Sequence, residues 1–281
     1  MQSTLVVDAP AKINLCLHVL GRRLDGYHEL AMAMQQVSLY DRVEISLDDG
    51  AGIEVRCDGL DLGQGENIAA RAARLFLSAV SLEKRVSIRI DKQIPVAAGL
   101  GGGSSDAAAV LSGLNTLCAQ PLSQLRLSAL AGALGADVPF FLFEPAAWAT
   151  GTGTTLELLP PLPKVCYLLL NPGFSVSTAA VYQSLQLTKG GELANLPRFS
   201  VTTIPELLGA LHNDLERVTA ERHPEISEMK SFLLKAGALG AMMSGSGASV
   251  FGLFVTEEAA QAARAAIPSC LPWKAFVVHP L

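Results

Sequence analysis

Four glycines fall within five residues of the segment Pro95-Val96-Ala97-Ala98-Gly99-Leu100-Gly101-Gly102-Gly103-Ser104-Ser105-Asp106-Ala107. Glycine lets backbone N–H groups approach a ligand without interference from a Cβ atom. A helical pattern follows over Ser105–Cys118, with Ala107, Val110, Leu111, Leu114 and Leu117 on one face. A helix start offers unpaired N–H groups and the positive end of a dipole, and phosphate is the natural ligand for that arrangement. Ser104 and Ser105 can cap the helix and also donate to phosphate oxygens. A flexible loop with a Ser or Asp cap would use the same residues. The segment is not a Walker A loop, because no Gly-Lys-Ser/Thr follows. It is not a dinucleotide fingerprint either, which belongs in a first βαβ unit with an acidic residue about 20 positions on.

Other polar residues stand where chemistry is feasible. In Ile13-Asn14-Leu15-Cys16-Leu17-His18-Val19 the apolar positions alternate, so Ile13, Leu15, Leu17 and Val19 share one face of a strand. By the same parity Lys12 and Asn14 project together from the other face. Asp25-Gly26 is a turn dipeptide that presents Tyr27 and His28 side by side, to a ligand or to the edge of the core. Asp137 follows Gly135, which ends a helix over about Ser123–Leu134, and precedes Val138-Pro139. That places it on a loop or first turn, where catalytic groups often sit and where a carboxylate can also cap a short helix. Gly245-Ser246-Gly247 reads as a tight connection between two strands.

The elements that must position these groups divide near Leu158–Pro163, where LLPPLP breaks the pattern. Before it lie strand segments at Val43–Leu47 and Val86–Ile90 and a helix over Asn67–Val80. After it come a strand (Lys164–Leu170), helices at about Thr178–Leu187, Ile204–Asn213 and Pro224–Lys235, strands at Leu239–Met243 and Ser249–Val255, a helix (Thr256–Ile267) and a strand (Lys274–Val278). With the middle helices taken as one crossover, the order is β-α-β-β-α-β, that of a ferredoxin-like unit.

Composition narrows the function classes. A chain of 281 residues suggests about two domains. Half of it is hydrophobic and only 17% charged, which supplies a core and argues against long disordered tracts. A net charge of -5 argues against broad nucleic-acid binding. The start has no basic region ahead of an apolar stretch, and no apolar run approaches the roughly 18 residues of a membrane span. Five scattered cysteines, without a CxxC pair, read as free thiols. A cytoplasmic location is expected. The five histidines show no HExxH spacing, so a zinc site is not expected.

The glycine-rich turn resembles the second motif of the GHMP kinase family. Pro10-Ala11-Lys12-Ile13-Asn14-Leu15 resembles the first motif, and Met243-Ser244-Gly245-Ser246-Gly247-Ala248-Ser249-Val250-Phe251 the third, in the family's order. The resemblance spans essentially the whole chain. It implies the α/β (α+β) class and two domains. Residues 1–160 would form an ATP-binding and catalytic domain like the second domain of ribosomal protein S5, and residues 161–281 a ferredoxin-like, substrate-side domain. It implies ATP and Mg²⁺, with ATP at Pro95, Ala97, Ala98, Gly99, Leu100, Gly101, Gly102, Gly103, Ser104 and Ser105, and Ser105 as a ligand of the metal. Asp106 stands where many members have Ala. Asn67 and the helix after it suit an adenine pocket.

Within the family, the run Gly21-Arg22-Arg23-Leu24-Asp25-Gly26-Tyr27-His28-Glu29-Leu30, the turn GLGGGSSDAA and the segment Leu134–Phe141 resemble the members that act on diphosphocytidyl-methylerythritol. This implies a small cytidine diphosphate-linked substrate, phosphorylated at the 2-hydroxyl of its methylerythritol unit, in isoprenoid precursor synthesis. Tyr27 would offer one stacking face for the cytosine and Tyr182 the opposing one, with His28 on the base's edge. Stacking of this kind is worth about 1–3 kcal/mol per base. Asn14, Thr178, Gly245, Ser246 and Gly247 would also line the substrate. Asp137 would be the general base, paired with Lys12, which would stabilise the developing alkoxide. Thr178 as a helix cap and Tyr182 as helix core remain open, as do solvated roles for Arg22 and Arg23. The rival readings are a homoserine or mevalonate-type kinase, the related diphosphomevalonate decarboxylase, a non-catalytic nucleotide-binding module and, more distantly, a Rossmann oxidoreductase. A monomer or weak homodimer is expected.

Overall fold

Two long strands set the frame of the computed structural model, β1 (Ser3–Arg22) and β2 (His28–Asp49). The structure describes residues 3–58, 67–185 and 199–281. The chain forms two units that alternate along the sequence. The first comprises the chain up to Ala11, Leu39–Ile94 and Gly101–Glu144; the second comprises Lys12–Ser38, Pro95–Leu100 and Pro145–Leu281. β1 and β2 therefore each run through both.

In the first unit β2 pairs antiparallel with β4 (Lys84–Asp91), and β4 pairs parallel with β3 (Gly52–Asp58). Three helices complete it: α1 (Ile68–Val80), α2 (Gly102–Leu117) and α3 (Gln124–Leu134), followed by a 3₁₀ turn at Pro139–Leu142. Asn67 caps α1, accepting the Ala69 N–H at 2.7 Å. Ala69, Ala72, Ala73, Phe76 and Leu77 are buried, the i, i+3, i+4, i+7 stripe of a core-facing helix. They pack in one cluster with Val43 and Ile45 of β2, Val86, Ile88 and Ile90 of β4, and the alanine-rich face of α2.

In the second unit β2 pairs with β5 (Ala146–Gly151), β5 with β6 (Thr155–Leu158), and β1 runs parallel to a two-residue strand, β8 (His212–Asn213). A separate four-stranded sheet has the order β11 (Lys274–Val278), β7 (Cys166–Asn171), β10 (Val250–Phe254), β9 (Gly240–Met243), antiparallel throughout. α7 (Glu225–Lys235) packs on β9 and β10, and α8 (Glu257–Ala265) on β7, β10 and β11. Numbering the four strands of this sheet along the chain, the order reads fourth, first, third, second, which is the ferredoxin-like arrangement expected. α4 (Thr178–Ser184), α5 (Ile204–Ala210) and α6 (Asp214–Arg222) occupy the first crossover.

Several expectations need correction. The strands at Ile13–Val19 and Val43–Leu47 are parts of much longer strands, and β3, β5, β6 and β8 are additional. The helix expected at Ile204–Asn213 stops at Ala210, and α6 is a further helix that buries only Leu215, Val218 and Thr219, too narrow an apolar stripe to stand out. α2 begins at Gly102 rather than Ser105. The last two residues of the helix expected at Thr178–Leu187 lie outside the described residues. Phe76→Ala in the fully buried α1 stripe should cost about 3–5 kcal/mol. The expected readout is a lower urea midpoint with an unchanged slope.

Candidate active site

The turn at Pro95–Leu100, in the second unit, is fixed by what its carbonyls meet. Ala97 accepts the Val176 N–H at 3.3 Å, Ala98 that of Ser249 at 3.1 Å, and Leu100 that of Lys12 at 2.9 Å. Gly99 accepts the Ser244 hydroxyl at 2.9 Å. In a trans peptide the N–H points opposite to the carbonyl. The N–H groups of residues 98–101 therefore point away from these partners, as an anion-binding turn requires. Ala97 and Gly99 have φ of +50° and +77°. At Gly99 no side chain fits, since a Cβ there would lie 2.0 Å from the Ser244 carbonyl oxygen.

Lys12 and Asn14 project together, as strand parity requires. The Lys12 ammonium donates to Asn14 Oδ1 at 2.5 Å. Lys12 is 4% exposed and Asn14 fully buried. Every residue of β1 from Ala11 to Leu17 is buried, so the strand is covered on both faces and the polar pair is enclosed. The Asn14 backbone N–H donates to Ser244 Oγ at 3.2 Å and its side-chain amide to Met32 Sδ at 3.4 Å. Ser244 thus joins the first motif to the second.

Gly245-Ser246-Gly247 links β9 to β10, and Gly245 packs on the second turn. A Cβ on Gly245 would stand 3.3 Å from the Gly99 carbonyl and 3.4 Å from Asn14 Oδ1. Asn213 donates to the carbonyls of Met243 and Gly245, both at 2.8 Å, and Thr219 Oγ1 donates to that of Ser246 at 3.2 Å. The Ser246 hydroxyl lies 2.8 Å from Thr178 Oγ1. Ser177, not Thr178, caps α4, accepting the Ala180 N–H.

His28 and Tyr182 meet directly, their rings stacked with centroids 4.9 Å apart and planes 25° from parallel. Tyr182 is therefore not simply helix core. Tyr27 is 66% exposed. Burial, and secondarily the Arg22 charge, lower the pKa of His28, which favours its neutral form, with one donor and one acceptor nitrogen. Arg23 is held by Asp25 at 3.0 Å and Glu29 at 2.7 Å on the exposed loop.

In the first unit, Gly101 is the cap residue of α2 at φ +72°, and no side chain caps the helix. Ser104 and Ser105 are therefore not caps. They lie inside the first turn, and the Ser105 N–H makes a helical bond to the Gly101 carbonyl at 2.9 Å. Ser105 Oγ is buried with no hydrogen-bond partner among the described residues. Beside it, Lys92 bridges Asp41 and Asp106, the latter at 2.8 Å. Asp41 also accepts the N–H groups of Gln93 at 2.7 Å and Ile94 at 2.8 Å. Burial, and then the neighbouring Asp41 charge, push the Asp106 carboxyl up to about 7 against the opposing pull of Lys92. One ammonium cannot neutralise two buried carboxylates. Asp137 lies half-buried on the turn between α3 and the 3₁₀ turn, and the cap position there is Val138.

Comparison with known proteins accords with this geometry. The family model described as the GHMP kinases N terminal domain matches residues 67–144, and that of the GHMP kinases C terminal domain matches residues 193–272. A protein of Syntrophotalea carbinolica named 4-diphosphocytidyl-2-C-methyl-D-erythritol kinase is 55% identical over 274 residues, 97% of this chain and 98% of that one. The chain belongs to the GHMP kinase family. A protein of the same name from Pelobacter propionicus is 49% identical over 280 residues, 99% of each chain. A crystal structure of 4-(cytidine 5'-diphospho)-2C-methyl-D-erythritol kinase superposes with a TM-score of 0.80 at 36% identity, covering 98% of this chain and 99% of the other. Homoserine kinase from Cytophaga hutchinsonii, with a TM-score of 0.73 at 19% identity over 98% of this chain and 95% of its own, shares the fold.

Sequence reasoning missed some residues that shape this GHMP kinase. Ser244 lies inside the third motif, yet nothing there signalled that its hydroxyl joins the other two. Asn213 fell at the end of an expected helix, and Asp41 and Lys92 had no spacing that joined them to Asp106.

Gly99→Ala should destabilise the chain by about 1–3 kcal/mol from overpacking and about 1–2 kcal/mol more from the left-handed backbone, measured by urea unfolding. The Asp106 carboxyl gives a pH signature. Its folded pKa lies above its ordinary value of 3.8, so the folded chain binds the extra proton. The resulting stability is full below that ordinary value and is lost as pH rises through about 7. Asp106→Asn should therefore gain on the wild type between about pH 5 and about pH 8, read from urea midpoints. An equal difference at both pH values would count against titration of Asp106 in this window.

Proposed function

We propose that the chain transfers the γ-phosphoryl group of ATP to the 2-hydroxyl of 4-diphosphocytidyl-2-C-methyl-D-erythritol, giving the 2-phosphate and ADP, in isoprenoid precursor synthesis. The observation that carries this reading is the buried Lys12–Asn14 pair on a strand whose backbone also holds the glycine turn, through the Lys12 N–H and the Leu100 carbonyl. It supports a role for the Lys12 cation near a turn whose N–H groups suit phosphate. Phosphoryl transfer depends on positioning and charge stabilisation more than on covalent help from the protein. The substrate is drawn from the names of full-length relatives about half identical to this chain.

In this reading residues 95 and 97–105 cradle the ATP phosphates. Asp137 accepts the proton of the attacking hydroxyl, and Lys12 stabilises the alkoxide that forms. Ser105 suits Mg²⁺, because its buried hydroxyl oxygen has no partner among the described residues and magnesium needs few protein ligands. When bound, Mg²⁺ supplies charge neutralisation across the transferring phosphates. Cytosine enters between Tyr27 and Tyr182, taking the place of the His28 ring. His28 is then free to meet the base's edge with its donor and acceptor nitrogens. Asn14, Thr178 and the Gly245-Ser246-Gly247 turn line the substrate.

ATP turnover should be strongly stimulated by this substrate and not by homoserine or mevalonate. Asp137→Ala should lower kcat by about 10²–10⁴-fold with little change in ATP binding, and Lys12→Ala should also depress kcat. Intact ATP binding without stimulation by the cytidine compound would sink the substrate assignment. Full turnover in Asp137→Ala would sink the proposed base.

A further inference from the structure

Three metal-ligating side chains meet in the second unit, outside the residues placed in the reaction. His18 lies on β1, His212 on β8, and Asp214 opens α6. Their ligand atoms all lie within 4.8 Å of one another. Strand pairing accounts for the meeting. β8 runs parallel to β1 with Cys16 opposite His212, and residues two apart on a strand share a face. His18 and His212 therefore rise on the same side. Their rings stack with centroids 4.4 Å apart and planes 14° from parallel, which sets two imidazole edges side by side.

The carboxylate is held in place from behind. Asp214 Oδ2 accepts the Val19 N–H at 2.7 Å, and Oδ1 lies 2.7 Å from His212 Nε2. The Val19 bond is an outer hydrogen bond of the kind that orients ligands in metal sites, while the Asp214–His212 contact already brings two of the proposed donors together. Two imidazoles and a carboxylate match a borderline divalent cation at about 2.0–2.2 Å from each donor. Tetrahedral geometry at those lengths places donors about 3.3 Å apart, a spacing that rotation of the exposed His212 and half-exposed His18 rings can reach. Magnesium, which prefers all-oxygen ligands, is poorly matched.

We propose that His18, His212 and Asp214 form a binding site for a divalent cation of the Zn²⁺ type. The spacing of histidines in the sequence cannot reveal it, because a parallel pair joins residues distant in the chain. A cation there would cross-link β1, β8 and the first turn of α6. Asn213, between two of the ligands, donates to the carbonyls of Met243 and Gly245, so the cross-link would brace the third glycine turn.

The test is equilibrium dialysis and calorimetric titration of the full chain with Zn²⁺ alone, without nucleotide, on the wild type, His212→Ala and His18→Gln. The wild type should bind one Zn²⁺ about 10-fold or more tightly than either variant and retain it in excess Mg²⁺. Zn²⁺ should raise its melting temperature, and the rise should be absent in the variants. Metal-free melting curves establish that the variants are folded. Should His212→Ala fail to fold, His18→Gln decides the comparison. Equal Zn²⁺ stoichiometry and affinity in the wild type and the folded variants would place the ion elsewhere and overturn the proposal. Displacement by Mg²⁺ would overturn it as well.

Discussion

The backbone of Gly99 lies so close to the Ser244 carbonyl that a single added carbon would come within 2.0 Å of that oxygen. Much else in the second unit depends on this approach. It brings the Ser244 hydroxyl within reach of the Gly99 carbonyl, and the same hydroxyl receives the backbone N–H of Asn14. One small side chain thereby ties together the strand that bears Lys12, the phosphate-type turn and the hairpin between β9 and β10. Ser249 extends the tie by donating its N–H to Ala98, while Asn171 on β7 holds the Ser249 hydroxyl at 3.1 Å. The carbonyls of Ala97, Ala98, Gly99 and Leu100 are all engaged within the protein, so the N–H groups that follow them point the other way, the arrangement that suits an anion. A glycine-rich sequence alone would be a flexible loop. The close approach makes it a fixed one.

A different device governs the residues that lead into the turn. Asp41 is fully buried, and its carboxylate collects the N–H groups of Gln93 and Ile94 as well as the Lys92 ammonium. A buried carboxylate needs such partners, because stripping one away costs about 3–5 kcal/mol. Asp106 shares the same lysine, and burial raises its carboxyl to about 7. The cluster is near neutral when Asp106 is protonated and carries an uncompensated negative charge when it is not. Ser105, with its unsatisfied hydroxyl, adjoins Asp106 on the first turn of α2. The electrostatics of that turn are thus set partly by a group that titrates near neutrality.

Legibility from sequence followed the range of the interaction. The pairing of Lys12 with Asn14 is a matter of strand parity, a period-2 rule that needs only neighbouring residues, and it appears as a hydrogen bond in the structure. The ferredoxin-like order of the second sheet was legible because each of its strands is a short apolar run with clear breaks. The start of α2 was not, because Gly102 and Gly103 carry no helix signal. They are helical because the left-handed Gly101 turns the chain and the Ser105 N–H closes on its carbonyl. α6 escaped because its polar surface hides only three buried residues, of which Leu215 and Val218 alone are apolar. Asp41, Lys92 and Asp106 could not be joined by any local rule, since the bond between them crosses from β2 to the end of β4 and on to α2.

The shared fold and the substrate are separate levels of this structure. Homoserine kinase and this chain superpose well at 19% identity, so the architecture and its glycine turns cannot by themselves choose an acceptor. Under the proposed function the choice falls to residues of the second unit: the exposed Tyr27, the His28 ring stacked on Tyr182, and the Thr178–Ser246 pair that links α4 to the third turn. These residues sit at element ends, where side chains can change without disturbing the Gly99–Ser244 contact beneath them. Under that reading, aromatic faces at this position would serve a nucleobase and have little use for a small aliphatic acid. In the proposed function, a base stacking on Tyr182 would replace one aromatic contact, that of His28, by another rather than create a new apolar surface.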